Sequence, residues 1–233
     1  MQPIYRSAVG AGLILLAGTA SAEGAAATGW YFGIGLGGAN YSDSVPQQIA
    51  AAYQNNNTYT LQSARTIDRS DNAAQVFAGY RFLPWLGVEV GYQDLGNART
   101  FYSLKTIGPI IYPSPTITGE YGLRDFNAAL VATLPVGERF ELLARGGLSD
   151  TRLSYDEHGF DVSAKPYSFH ARARTRTGSL AGIGAAWNFS PSFALRFDMD
   201  RNFDIGKKFA LNADGNGRFN HVDAYTLNLV WKP

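Results

Sequence analysis

Large apolar residues alternate with small ones near the start of the chain. Trp30, Phe32, Ile34 and Leu36 share one parity; Tyr31, Gly33, Gly35 and Gly37 share the other. A period of two places successive side chains on opposite faces of a strand. One face is therefore greasy and the other nearly bare. A sheet in water buries its greasy face and shows polar residues to solvent. Here the second face is small, and later segments put charges on it. The pattern suits a barrel wall, with lipid outside and a narrow polar lumen inside.

The alternation recurs in segments at about Gly29–Tyr41, Ala73–Leu83, Trp85–Leu95, Arg124–Leu134, Phe140–Thr151, Thr177–Phe189, Phe193–Phe203 and His221–Lys232. Their connections are unequal. Pro84, Pro135–Arg139 and Ser190–Ser192 are tight turns, whereas the stretch after Tyr41 through Asp71, Gly96–Gly122, Arg152–Arg176 and Asp204–Asn220 are long and polar. Pro109, Pro113 and Pro115 fall in the second long connection and lack the donor that a sheet ladder needs. The expected fold is all-β: an eight-stranded antiparallel up-and-down transmembrane β-barrel, with short periplasmic turns and long extracellular loops. Trp85, Trp187, Phe189 and Trp231 gather by the short-turn rim, where an interfacial aromatic girdle belongs. A soluble lipocalin-like barrel would alternate the other way, with an apolar cavity and a polar exterior.

The first residues give an address. Arg6 lies in a short basic start, Ala8–Ala20 is apolar, and Ala20-Ser21-Ala22 is the small-x-small pattern that signal peptidase reads. The expected domains are a cleaved signal peptide at 1–22 and a barrel at 23–233. No later apolar run approaches the roughly 20 residues of a transmembrane helix, so any crossing of a membrane must use strands. The chain has no cysteine, which removes disulfides, thiol nucleophiles and zinc-thiolate sites. A net charge of +1 gives no field for nucleic acid.

An eight-stranded barrel is just wide enough for side chains to fill it. Pairing across the tight turns sets Arg196 opposite Ala186, Asp198 opposite Gly184, Asp200 opposite Gly182, Glu89 opposite Gly79 and Arg145 opposite Ala129. The candidate lumen charge network is Arg81, Glu89, Arg145, Arg196, Asp198 and Asp200, with Asp125 and Glu141 also inward. Confined charges must pair or hold water. A conducting or gated lumen is one reading; a polar plug that stabilises the barrel is the one geometry favours. Arg172, Arg174 and Arg176 alternate in step with His170 and are candidates for the phosphates of lipopolysaccharide. Strict register turns the row toward the lumen instead. A lipid A-modifying enzyme would need Ser, His and an acid on the outward face; His221 with Asp223 comes nearest, but no nucleophile is placed. No enzyme, cofactor or metal site is expected.

The stretches Leu83-Pro84-Trp85-Leu86-Gly87-Val88-Glu89-Val90-Gly91-Tyr92, Phe140-Glu141-Leu142-Leu143-Ala144-Arg145-Gly146-Gly147 and Ser190-Pro191-Ser192-Phe193-Ala194-Leu195-Arg196-Phe197-Asp198 resemble the membrane domain of the OmpA family. The resemblance implies a small barrel in the outer membrane of a Gram-negative bacterium, with a structural or surface-interaction role. A narrow porin-like channel is the alternative. It implies as partners outer-membrane lipid and lipopolysaccharide, the barrel-insertion machinery during biogenesis, and surface ligands of the long loops. Within the family an interior glutamate exchanges between an arginine and a lysine. By position Glu89 is the glutamate and Arg196 the arginine, but Val131 stands where the lysine belongs. The chain stops right after the eighth segment, so no cell-wall-binding domain is expected.

Overall fold

The computed structural model describes residues 28–42, 50, 58–107, 115–160, 163–211 and 215–233, except the side chains of 171–174 and 206–220. The expected signal peptide lies outside the described residues. The strands are β1 (Gly29–Tyr41), β2 (Tyr59–Asp68), β3 (Ser70–Leu83), β4 (Leu86–Thr106), β5 (Thr116–Val136), β6 (Phe140–Phe160), β7 (Pro166–Asn188), β8 (Phe193–Leu211) and β9 (Gly215–Trp231). Antiparallel pairing runs β4-β3-β1-β9-β8-β7-β6-β5 and returns to β4. β2 pairs with Arg99–Thr106 of β4, and β3 pairs with Leu86–Asp94 of the same strand. β2 and β3 thus act as one broken strand, and the wall is a closed ring of eight with no edge in the membrane.

Within the membrane belt the outward parity is apolar all round the ring: Ile34, Val76, Val90, Leu130, Leu142, Ile183, Phe197 and Leu227 are all exposed. About five such positions per strand, on strands tilted about 40°, give a belt about 25 Å tall, the apolar height of outer-membrane barrels. Aromatic pairs mark the short-turn rim, with Phe32 stacked on Trp231 at 5.8 Å and Trp187 against Phe189 at 5.9 Å. At the other rim the belt ends in a polar collar that includes Asn40, Asn72, Asp94, Arg124, Asp150, Arg201 and Asp223. Arg124 pairs with Asp94 at 3.4 Å and Arg201 with Asp223 at 2.6 Å.

Much of what was expected as loop is wall. β4 continues to Thr106, β5 starts at Thr116, β6 reaches Phe160, β7 starts at Pro166, β8 reaches Leu211 and β9 starts at Gly215. The first long connection contains β2. Pro115 sits just before β5, where its carbonyl accepts from the Leu104 amide at 3.0 Å; Pro109 and Pro113 lie outside the described residues. The reason for the difference is a change of solvent. Above the collar the wall meets water, so the alternation reverses sign. Leu95, Ala98, Tyr102, Leu104, Ile117, Tyr121, Leu123, Leu153 and Tyr155 now point inward and pack as one buried cluster with Ile205 and Val222, while Arg99, Glu120 and Arg152 face out. A search for a lipid-facing stripe passes over such strands.

Candidate functional site: the filled lumen

Small residues make room for long charged ones. Arg196 lies opposite Ala186, Asp198 opposite Gly184, Asp200 opposite Gly182, and Glu89 opposite Gly79. A Cβ on Gly182 would fall 2.0 Å from the Asp200 carboxylate, so a larger residue there would expel the charge. Arg145 lies opposite Val131 rather than Ala129, because only residues 137–139 turn and Val136 already pairs with Phe140.

The lumen fills in layers. Nearest the short-turn rim, Arg81 pairs with Glu141 at 2.9 Å, and Lys232 reaches the same carboxylate at 3.4 Å. Asn188 completes the layer, donating to Glu141 at 3.1 Å and accepting from Lys232 at 2.7 Å. One layer higher, Glu89 accepts from Arg196 Nη1 at 2.6 Å, Arg145 Nη1 at 3.0 Å and the Tyr31 hydroxyl at 2.9 Å. Arg145 also pairs with Asp200, and Arg196 donates its Nε to Asp198 at 2.8 Å. The Arg196 guanidinium lies 4.0 Å over the Phe77 ring, adding a cation–π contact to its ion pairs. Around this group run Gln93, Gln75, Thr226 and Asn228: Gln93 donates to Gln75 at 2.7 Å, and Gln75 donates to Asn228 at 2.6 Å. Glu89 is 2% exposed and Arg196 3%.

Five of the six expected residues therefore form one network, while Arg81 belongs to the layer below. Sequence reasoning did not single out Tyr31, Phe77, Gln75, Gln93, Asn228 and Lys232. Their inward parity was available as a signal, but a search for charge gave the uncharged ones no weight. Arg145 supplies the second cation from β6, opposite Val131. Glu89 thus holds two cations at once rather than one of two.

Asp125, buried level with Gln93, accepts from Asn127 at 3.0 Å and Thr151 at 3.2 Å, and above it the lumen turns mainly apolar. The buried cluster that includes Leu95, Leu123, Leu153 and Val222 fills the barrel at and beyond the collar. Glu157 crowns it, accepting from Tyr102 at 2.9 Å, from Tyr167 at 3.2 Å and from Tyr155. Burial pushes the Tyr155 hydroxyl far above the ordinary phenol range, so it stays a donor. Register sets Arg174 opposite Leu153 and Arg176 opposite Thr151, both lumen-lining positions; the side chains of Arg172 and Arg174 lie outside the described residues. On the outer face His170 pairs with Asp156. His221 stands 4.0 Å from Asp223, whose carboxylate is already held by Arg201.

A family model, the OmpA-like transmembrane domain, matches residues 25–232. Among solved structures the chain is similar to Neisserial surface protein A, at 17% identity and a TM-score of 0.50 over 88% of this chain and 98% of that one. It is also similar to OprG from Pseudomonas aeruginosa, at 11% identity and a TM-score of 0.49 over 91% and 100%. Ail, the attachment invasion locus protein of Yersinia pestis, aligns at 13% identity and a TM-score of 0.45 over 88% and 99%. The likeness to the Neisserial protein is one of fold. No curated protein matches the sequence.

Proposed function

The chain belongs to the OmpA-like transmembrane domain family, a barrel of the Gram-negative outer membrane, and from that premise we propose that it serves as a surface-interaction scaffold with a shut lumen. The observation that carries this reading is the layered filling. Two salt-bridged layers and an apolar cluster succeed one another along the axis. An ion would have to break buried charge pairs and then pass a packed cluster of apolar and tyrosine side chains.

What remains accessible is the wall above the collar. Ile67, Ile107, Phe160 and Phe169 are exposed there, among polar neighbours that suit contact with a macromolecule. In this reading the barrel is the anchor and the tall strands present the ligand-binding surface. Residues 1–22 direct export and are removed. Tyr225, Leu227, Leu229 and Trp231 of β9 present the alternating apolar face that the insertion machinery engages. No catalytic role is assigned: Arg201 occupies the acid that His221 would need.

Planar-bilayer recording of the refolded protein tests the shut lumen, with baseline current and no stable openings expected. Steady large openings would reject it. Binding of whole cells to immobilised host or bacterial surfaces, with and without the extensions above the collar, tests the surface role. Equal binding without them would reject it.

A further inference from the structure

Among the described residues the outer wall carries a lipid-facing hollow of 490 Å³. Its floor is Ala78 with the bare backbones of Gly33 and Gly91; Phe32 and Trp231 form one side, and Tyr92 and Phe126 the other. Packing inside the barrel creates it. A Cβ on Gly33 would fall 2.1 Å from the Phe77 ring, and that ring carries the Arg196 guanidinium. The wall must stay thin where the lumen is full. The hollow lies within the apolar belt and so faces the hydrocarbon layer.

Register fixes what lies above it. Ile34, Val76, Tyr92 and Phe126 form one cross-strand row, and Leu36, Ala74, Asp94 and Arg124 form the next toward the collar. Arg124 thus stands one row above the hollow, with a side chain 64% exposed and a single 3.4 Å contact to Asp94. Ala74, small and in the same row, leaves the way down open. An apolar slot under a solvent-facing guanidinium matches an amphiphile with an acyl chain and a phosphate.

We propose that this hollow is a lipid A site: one acyl chain lies along Ala78 between the aromatic walls, and a glucosamine phosphate is bound by Arg124. The tall strands place the collar at the outer leaflet, where lipid A rather than phospholipid supplies the phosphate.

The test uses the refolded full barrel in detergent, titrated with purified lipid A or with phosphatidylglycerol, and reads bound lipid by native mass spectrometry. The wild type should retain one lipid A per barrel in preference to phosphatidylglycerol. Ala78→Phe, which fills the slot, and Arg124→Gln, which removes the cation, should each weaken retention by about tenfold. Ala185→Phe, a lipid-facing change on the other side of the ring, should leave retention as in the wild type. All variants should keep the heat-dependent gel shift of a folded barrel, since the changed side chains face outward. Wild-type retention by Ala78→Phe or by Arg124→Gln would overturn the site. So would equal retention of phosphatidylglycerol, or a loss with Ala185→Phe as large as with Ala78→Phe.

Discussion

Glu89 binds two guanidiniums and a phenol in a space that excludes bulk water. Its removal leaves Arg145 and Arg196 each short of a partner, although Asp200 and Asp198 still hold them. Glu89→Ala should therefore cost about 3–5 kcal/mol, the range for breaking a buried pair. Arg196→Ala should cost less, because Arg145 still neutralises Glu89. The double variant should cost less than the sum of the singles when both are measured by urea unfolding in lipid. Strict additivity would mean that the contact carries no coupling. At the collar the Arg201–Asp223 pair gives a pH-dependent term. The Arg201 hydrogen bond holds the Asp223 carboxyl below its ordinary value of 3.8. A folded-state pKa below the unfolded one stabilises the fold at higher pH, and that contribution fades as pH falls below about 4. Solvent screens the exposed Arg201, so the effect is small. Arg201→Ala should flatten the acid limb of stability against pH, and an unchanged limb would assign it to other carboxylates.

At the scale of elements, the decisive place is the joint where the wall leaves the membrane. β4 carries a bulge between Asp94 and Asn97, beside the break between β2 and β3. Gly96 sits in it at φ 71°, and a Cβ there would fall 2.7 Å from the Asn72 carbonyl oxygen. The Tyr41 hydroxyl donates to the carbonyls of Leu95 and Gly96, each at 2.9 Å. Gly96→Val should destabilise by about 1–3 kcal/mol through backbone strain, with further loss from the clash. Thermal unfolding in detergent checks it; a neutral result would mean that the bulge relaxes freely. Each belt segment was legible from parity alone, because lipid demands one apolar face over ten residues or so. The extensions were not. Leu95, Tyr102 and Leu123 read as scattered apolars among polar residues until pairing shows that they share one inward face.

For the whole molecule, two kinds of filling in series govern conduction. Arg196→Ala opens space among the charges, but the apolar cluster above still blocks the axis. It should leave planar-bilayer current at baseline. Combining it with Leu123→Ala and Tyr155→Ala, which thin that cluster, should produce openings. Conduction by Arg196→Ala alone would show that the upper cluster is no barrier.

The sequence by itself determined the barrel, its ring of eight and the inward parity of its lumen charges. All of these follow from period-2 alternation, the unequal connections and inward parity, which are local properties of the chain. Only the tertiary structure decided the layering. Arg81 lies below Glu89's layer, Arg145 on β6 supplies a second cation, and the mouth is apolar and capped by Glu157. These depend on stagger between strands distant in the chain. A shift of two residues at one turn, as at 137–139, moves a side chain to a different layer while leaving its parity intact.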